Sequence, residues 1–226
     1  MTSPSVGVLN EGPLHASLKE WYRRPGDLVE HPLEGFVIDL VRDEVLIEIQ
    51  TRGFSAMRKK FDHLLDRHAM RLVHPIAAEK SLVRVDSRGD EVSRRTSPKH
   101  GTAADVCSEL VSFPSLLSHP NFTLEVLLVR EEEIRREDPK KGWRRGGWVI
   151  DERRLVEIVD HIIFEAPADL VGLLPGALPD PFTTADLATG LGRPRRLAQE
   201  VAFCLKTAGV VDTAGRDRDG IHYRLV

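Results

Sequence analysis

The sequence predicts an α/β protein in which a mixed sheet is flanked by helices and is followed by a small carboxy-terminal domain. Up to about residue 150, runs rich in β-branched residues alternate with amphipathic segments, as in a helix-flanked sheet. Residues 167–226 instead read as two short helices and two short β-type runs. A chain of 226 residues with 41% hydrophobic residues has material for two cores. We therefore expect a domain over residues 1–150, a connecting helix over 151–166 and a second domain over 167–226.

Composition excludes several classes of protein. The formal net charge is only −3, so any binding of nucleic acid must rely on local basic patches. Cys107 and Cys204 lie far apart in apolar helical surroundings, which favours reduced buried thiols over a disulfide framework or a zinc site. There is no apolar run of about 18 residues, and the amino terminus lacks the features of a secretory signal. These observations predict a cytoplasmic protein that does not enter membranes.

Residues 34–65 carry the strongest chemical signal. Two β-type runs, one around Asp39 and one around Glu48, are joined by a connection short enough for a hairpin. Glu48 and Gln50 are two apart and so share one face of their strand, whereas Ile47 and Ile49 share the other. Carboxylates on neighbouring strands can converge on one point, and oxygen ligands of this kind suit Mg²⁺. A metal held there would activate water for phosphodiester hydrolysis.

These residues resemble the PD-(D/E)xK nuclease superfamily, whose core has an Asp on one strand and a (D/E)xK triad on the next. Ile-Asp-Leu at 38–40 and Glu-Ile-Gln-Thr-Arg at 48–52 are most similar to the IDL…VEVKTR pattern of small Holliday-junction-resolvase-like endonucleases. The resemblance implies a restriction-endonuclease-like fold and a site with Mg²⁺ or Mn²⁺ on Asp39 and Glu48. Gln50 stands where the family usually has Lys and would orient water or phosphate. The family also tends to carry a Glu on its first helix, which implies a catalytic role for Glu20.

An ordinary half-buried hairpin with solvent-facing carboxylates is the alternative interpretation of Asp39 and Glu48. The expected supports are a first helix over residues 13–24, a helix capped by Ser55 and running to about residue 68, and strands over 71–76, 81–86 and 122–129. The polar segment 87–101 reads as a mobile loop. Residues 152–164 read as the connecting helix because five aliphatic side chains follow a helical spacing.

Two basic segments of the larger domain are candidates for DNA contact. Arg58 and Lys59 lie at the start of the helix after the strand pair, and Lys140, Lys141, Arg144 and Arg145 lie in a segment with two tryptophans and no acid. Lys and Arg neutralise phosphates, and Trp can stack on bases. Each segment also has an interpretation without DNA. Arg58 and Lys59 would lie on a solvated helix face, and the tryptophans of the second segment would pack against their own domain.

Residues 167–226 resemble a winged helix-turn-helix domain. A helix capped by Thr183 or Thr184, a turn at residues 190–192, a helix from about Pro194 and a final hairpin follow in order. In such domains the second helix enters the major groove by its first residues and the wing approaches the backbone. The resemblance implies DNA contacts by Arg193, Arg195, Arg196, Gln199, Arg216 and Arg218. Many winged helices serve protein contacts instead.

The combined expectation is a metal-dependent DNA endonuclease that a winged helix positions on its substrate. A catalytically inactive DNA-binding regulator is the alternative that Gln50 favours. A protein-interaction module without salt-sensitive DNA binding is a third class. A homodimer would suit DNA substrates of two-fold symmetry.

Overall fold

The computed structural model describes residues 12–138, 140–141, 146–218 and 220–226. The chain divides into two compact units. One contains the residues up to Thr51, Pro75–Thr102 and Leu127–His161; the other contains Arg52–His74, Ala103–Val126 and Ile162–Val226. The α/β class predicted from the sequence is confirmed.

The larger sheet has seven strands, in the order β1-β2-β3-β4-β6-β7 with β5 paired to β4, and the smaller has the order β8-β10-β9. Their strands are β1 Leu28–Leu33, β2 Phe36–Arg42, β3 Val45–Ile49, β4 Met70–Val85, β5 Glu91–Thr96, β6 Phe122–Glu137, β7 Trp148–Phe164, β8 Phe182–Thr183, β9 Val211–Asp217 and β10 Gly220–Leu225.

The helices are short, and their buried faces follow the apolar spacing of the sequence. In α1 (Pro13–Tyr22), Leu14, Leu18 and Tyr22 are buried because residues four apart lie on one face. Pro13 occupies the first turn, where a missing N–H costs nothing. The other helices are α2 Arg58–Leu64, α3 Cys107–Leu110, α4 Thr184–Leu191 and α5 Arg195–Thr207. Single 3₁₀ turns precede α2 at Phe54–Met57 and α3 at Ala103–Val106, and a longer one spans Pro167–Leu173.

Both units have an apolar core. In the first, β1, β2 and β3 form an antiparallel meander, and α1 packs against β3. Ile38 and Leu40 on β2 are fully buried. In the second, the ring of Phe61 packs edge-on against Phe113 and Phe122, with ring centroids 5.8 and 5.6 Å apart. Large apolar residues whose spacing in the sequence predicted a buried face, such as Leu14, Leu18 and Phe61, are therefore found in these cores.

Several predicted elements differ from the structure. Residues 152–164 are not a helix but part of strand β7. Both faces of this strand are partly exposed, so its aliphatic side chains do not alternate strictly and their spacing is also compatible with the 3.6-residue period of a helix. The two strands expected over 71–76 and 81–86 are one continuous strand, β4. The segment 87–101 is not wholly a loop, since it contains β5, all of whose residues are exposed. Ser55 does not cap the following helix; Gly53 precedes the 3₁₀ turn there, with a φ of 73°.

Candidate functional site

Asp39 and Glu48 are brought together by the register of the β2–β3 hairpin. Leu40 is paired with Ile47, and Asp39 and Glu48 are the next positions along their strands from that pair. Opposed positions on antiparallel strands share a face, with Cβ atoms about 5 Å apart. Continuing this register by one residue would put the two carboxylates on the same face of the hairpin. These two carboxylates are the centre of the candidate site.

The carboxylate of Asp39 is held by two contacts. Its Oδ2 accepts a hydrogen bond of 2.8 Å from the backbone N–H of Ile49 and lies 3.2 Å from Nε2 of His15. The side chains of Asp39 and His15 are 19% and 20% exposed. Asp39 is thus fixed in orientation by the neighbouring strand and by α1, while part of it still reaches solvent.

Glu48 is a buried carboxylate. It is 5% exposed, and its neighbours Leu46, Ile47 and Ile49 are buried as well, so both faces of β3 are covered. A buried carboxylate is retained in a fold only when partners compensate its lost hydration. Gln50 is half-buried and follows the last residue of β3, Ile49. Side chains alternate between the two faces only within the strand, which ends at Ile49. The strand geometry therefore does not by itself place Gln50 on the same face as Glu48.

The helix α1 presents His15, rather than Glu20, to Asp39. The side chain of Glu20 is 78% exposed and forms an ion pair of 3.7 Å with Arg23 on the same helix. His15 was not among the site residues predicted from the sequence. The feature that could have indicated it is its position next to Leu14, at the border of the buried face of α1, from which a polar side chain can reach a neighbouring strand.

An ion pair next to the hairpin supports the same elements. Arg42 at the end of β2 donates to both carboxylate oxygens of Asp27, over 2.9 and 2.7 Å, and also to the backbone carbonyl of Tyr22 at the end of α1. The side chain of Asp27 is 2% exposed. The hydrogen bonds from Arg42 hold the pKa of Asp27 below its ordinary value. This pair fixes the end of α1 relative to β2.

A second network of buried charges lies on β6. Glu131 and Glu133 are each 4% exposed, and the ammonium group of Lys80 lies 2.7 Å from one and 3.6 Å from the other. Burial alone would raise the pKa of Glu133, but Arg135, Lys80 and Arg153 together bring it below its ordinary value. The sequence predicted a strand only over residues 122–129, whereas β6 continues to Glu137 and includes these buried carboxylates.

The donors at Asp39 and Glu48 fit a hard cation by their chemistry. Two carboxylates and the carboxamide of Gln50 offer oxygen ligands, and Mg²⁺ is usually held by one or two carboxylates together with water. Within the described ranges, no group of three or more His, Cys, Asp or Glu side chains is arranged to hold a metal ion. Any such ion would thus depend on two carboxylates, the carboxamide and water.

The basic segments of the larger predicted domain have different surroundings. The guanidinium group of Arg58 lies 4.2 Å from the centroid of the Phe113 ring and donates to the carbonyl oxygen of Ser112. Lys59 is exposed. Lys140 and Lys141 are exposed in a turn where Asp138 accepts hydrogen bonds from both backbone N–H groups. Arg144 and Arg145 lie outside the described residues.

The carboxy-terminal segment has two helices joined by a tight turn. Thr183 caps α4 by accepting from the N–H groups of Ala185 and Asp186, and the carboxylate of Asp186 accepts in return from Thr183, which lowers the pKa of Asp186. Gly192 ends α4 in the left-handed region, at a φ of 61°. Strands β9 and β10 then form an antiparallel hairpin, and β8 pairs with the outer side of β10. The helices, turn and hairpin occur in the predicted order.

Helix α5 is amphipathic, and six of its thirteen residues are buried. It packs against α4 and β9 and also against α3, where the sulfur of Cys204 lies 3.9 Å from the backbone oxygen of Cys107. Both cysteines are buried and free. The neighbouring thiol of Cys204 and burial raise the pKa of Cys107 well above its ordinary value, so Cys107 is an inert thiol at neutral pH. The exposed face of α5 carries polar side chains together with Phe203.

The predicted DNA contacts of this segment divide into two groups. Arg193 is 21% exposed and forms an ion pair with Asp105, and Arg196 is 88% exposed and pairs with Glu200 over 3.0 Å. Arg195 and Gln199 are exposed on α5 and line a cleft between α5 and β10. Arg216 and Arg218 are exposed on the hairpin. Arg193 thus has a structural partner, whereas Arg195, Gln199, Arg216 and Arg218 face outward.

Comparison with known proteins gives a family but no activity. A family model described as a domain of unknown function, DUF8091, matches residues 12–165. The chain belongs to the DUF8091 family. The match covers α1 through β7, including Asp39 and Glu48, and stops before the two-helix segment. An uncharacterized protein of Treponema pallidum (strain Nichols) is 29% identical over 190 residues, which is 83% of this chain and 76% of the relative.

Two further findings concern the chain as a whole. No solved structure matches it. Among the helices of the described residues, none combines the length and the apolar character needed to cross a membrane.

Proposed function

We propose that this DUF8091 protein is a metal-dependent DNA endonuclease of the PD-(D/E)xK type, with a carboxy-terminal winged helix that binds DNA. The observation that carries the proposal is the register of the β2–β3 hairpin, in which Asp39 and Glu48 are the positions next to the Leu40–Ile47 pair. The superfamily core that this sequence resembles has its Asp on one strand and its acidic triad residue on the next. Here a helix precedes these two strands and another follows them, in the order α1, β1, β2, β3, α2.

Each residue of the hairpin has a role in the proposed reaction. Asp39 and Glu48 would hold Mg²⁺ or Mn²⁺, and this ion would supply a water of lowered pKa and stabilise charge on the scissile phosphate. The backbone N–H of Ile49 and the ring of His15 keep the carboxylate of Asp39 in one orientation. Gln50 cannot take up or release a proton, so it would act by hydrogen bonding to water or phosphate.

The carboxy-terminal segment supplies the proposed affinity for DNA. The order of α4, tight turn, α5 and hairpin is that of a winged helix-turn-helix domain. Arg195 and Gln199 lie near the start of α5, where such domains contact base edges. Arg216 and Arg218 on the hairpin suit contacts with phosphate.

A non-catalytic DNA-binding protein is the second candidate, and two observations favour it. Gln50 replaces the lysine that the superfamily usually has. In addition, Oδ2 of Asp39 is already engaged by Ile49 and His15, which leaves that oxygen less able to bind a metal. In this second case the hairpin would be structural and α5 would be the working element.

Incubation of the purified full chain with supercoiled, linear, branched and single-stranded DNA tests the proposal. Cleavage is expected with Mg²⁺ or Mn²⁺, and no cleavage with a chelator or in the Asp39→Ala and Glu48→Ala proteins. Asp43→Asn is the control, since Asp43 is an exposed turn residue between the same two strands and its φ of 46° suits asparagine. Binding without metal and without cleavage would support the second candidate. Cleavage that survives both Asp39→Ala and Glu48→Ala would refute the proposed site.

A further inference from the structure

A cleft of about 630 Å³ lies between α5 and β10 in the second unit. Its size is within the range of small-molecule sites in proteins, roughly 300–1,000 Å³. Along α5 it is lined by Arg195, Gln199 and Phe203, which are four residues apart and therefore lie in one row on the helix. Tyr223 and Ile221 of β10 form the opposite wall.

The aromatic ring in this row is exposed. Phe203 is 51% exposed, although the helix around it buries Val201, Ala202 and Cys204. Ile221 on the facing strand is 37% exposed. Exposed apolar surface costs free energy in water, and an exposed aromatic ring between two elements offers a face on which a planar group can stack.

The charges of the cleft select an anionic occupant. Arg195 lies at one end of the row, and Lys206, whose ammonium group donates to Thr213 over 2.7 Å, lies near the other. At a rise of 1.5 Å per residue, the backbone positions of Arg195 and Lys206 are about 16 Å apart along the helix, with Phe203 between them. None of the described residues that line the cleft is acidic. Gln199 adds an amide that can donate and accept hydrogen bonds.

We propose that this cleft binds a short single-stranded segment of DNA, with one unpaired base stacked on Phe203 and phosphates of the same segment on Arg195 and Lys206. Cations that follow the backbone, together with an aromatic side chain for the base, are the arrangement that single-strand-binding proteins use. A base within a duplex is already stacked on its neighbours and cannot enter the cleft. This inference rests on the proposed DNA binding by the carboxy-terminal segment and adds to it a site for DNA with unpaired bases.

Binding measurements on the full-length Phe203→Ala protein test the inference. The probes are a labelled single-stranded oligodeoxynucleotide and the blunt duplex of the same sequence, followed by fluorescence anisotropy at one salt concentration. Loss of the stacking surface should weaken single-strand binding by roughly tenfold or more. Binding of the duplex should be nearly unchanged. Because Phe203 is exposed, the variant should unfold at the same temperature as the parent protein.

Two further variants separate stacking from general apolar contact. Phe203→Trp keeps a stacking surface and should retain single-strand binding, whereas Phe203→Leu keeps an apolar side chain without a ring and should lose it. Val171→Ala is the matched control, because Val171 is an exposed apolar residue of the same unit that does not line the cleft.

The outcomes distinguish the inference from the proposal on which it rests. If the parent protein binds both probes and Phe203→Ala weakens neither or both equally, the nucleotide cleft is refuted and DNA binding stands. Full single-strand binding by Phe203→Leu would likewise refute stacking. If the parent protein binds neither probe, DNA binding by the carboxy-terminal segment fails together with the cleft.

Discussion

Individual carboxylates in this protein are held by specific donors, and Asp27 illustrates what this means for stability. Its side chain is 2% exposed, and both of its oxygens accept from Arg42. The lowered pKa means that the folded protein binds a proton at Asp27 less readily than the unfolded chain does. The resulting stabilisation is present above the ordinary carboxyl pKa of 3.8 and is lost as the pH falls through the lower pKa of the folded state.

Asp27→Asn should therefore lower the free energy of unfolding at neutral pH by roughly 1–3 kcal/mol, since the guanidinium group of Arg42 loses a charged partner. The difference between the variant and the parent should shrink as the pH falls below about 4. Urea denaturation across this pH range measures both effects. Asp43→Asn is the control, because Asp43 is an exposed turn residue whose φ of 46° suits asparagine. If the free energies of unfolding of Asp27→Asn and the parent differed by the same amount at all pH values, the ionisation of Asp27 would not be the source of the stabilisation.

Gln50 is the residue at which the two candidate functions make different predictions. If the hairpin is a nuclease site, Gln50→Lys restores the ammonium group that the superfamily usually has and should raise the rate of metal-dependent cleavage by about tenfold or more. Gln50→Ala should reduce the rate instead. The measurement is the initial rate on the DNA form that the parent protein cleaves. No gain with Gln50→Lys, in a protein that unfolds at the parent temperature, would favour the non-catalytic candidate.

At the scale of elements, α4 depends on its amino-terminal cap. Thr183 accepts hydrogen bonds from two backbone N–H groups that have no partner within the helix. Thr183→Ala should cost about 1 kcal/mol and lower the unfolding temperature by a few degrees. Differential scanning calorimetry measures this shift. Thr189→Ala is the control, because Thr189 lies in the last part of α4, where alanine is a better helix former. Equal shifts for both variants would show that the cap contributes nothing.

Elements with a distinctive local signal were predictable from the sequence. The sequence predicted a cap at Thr183 or Thr184, a turn over residues 190–192 and a helix from about Pro194. The structure has the cap at Thr183, the turn at Gly192 and the start of α5 at Arg195, because each position needs a residue type that suits the local backbone. Strand β7 was wrongly predicted as a helix because an edge strand with two partly exposed faces has no clean alternation of apolar and polar residues. Strand β5 was missed because none of its residues is buried, so its pairing with β4 produces no apolar signal.

The candidate site was predictable only in part. Asp39 and Glu48 could be paired from their places on a short hairpin, since register follows from connection length. The contact of His15 with Asp39 depends on how α1 lies on the sheet, and the ion pair of Arg193 with Asp105 depends on packing between distant segments. Such tertiary contacts leave no periodic trace in a single sequence.

For the whole molecule, the proposed DNA binding would have to come from local cations, because the net charge is only −3. Arg195→Ala should weaken DNA binding and reduce the slope of log affinity against log salt concentration by about one. Arg193→Ala should instead destabilise the fold, because it leaves Asp105 without the guanidinium group that pairs with it. Salt titrations of binding and thermal unfolding of both variants test this contrast. Equal salt slopes for Arg195→Ala and the parent would remove Arg195 from the interface.

Strand β7 lies at the end of the seven-stranded order, with β6 on one side and no strand of the described residues on the other. In an antiparallel edge strand, successive amide groups point in turn toward the neighbouring strand and toward solvent. Hydrogen exchange along residues 149–161 should consequently alternate, with slow amides bonded to β6 and fast amides between them. The outward amides are unpaired hydrogen-bond donors, to which another extended chain could add as a further strand. Their hydrogen-exchange rate would therefore also report whether such a strand is bound to the edge of β7.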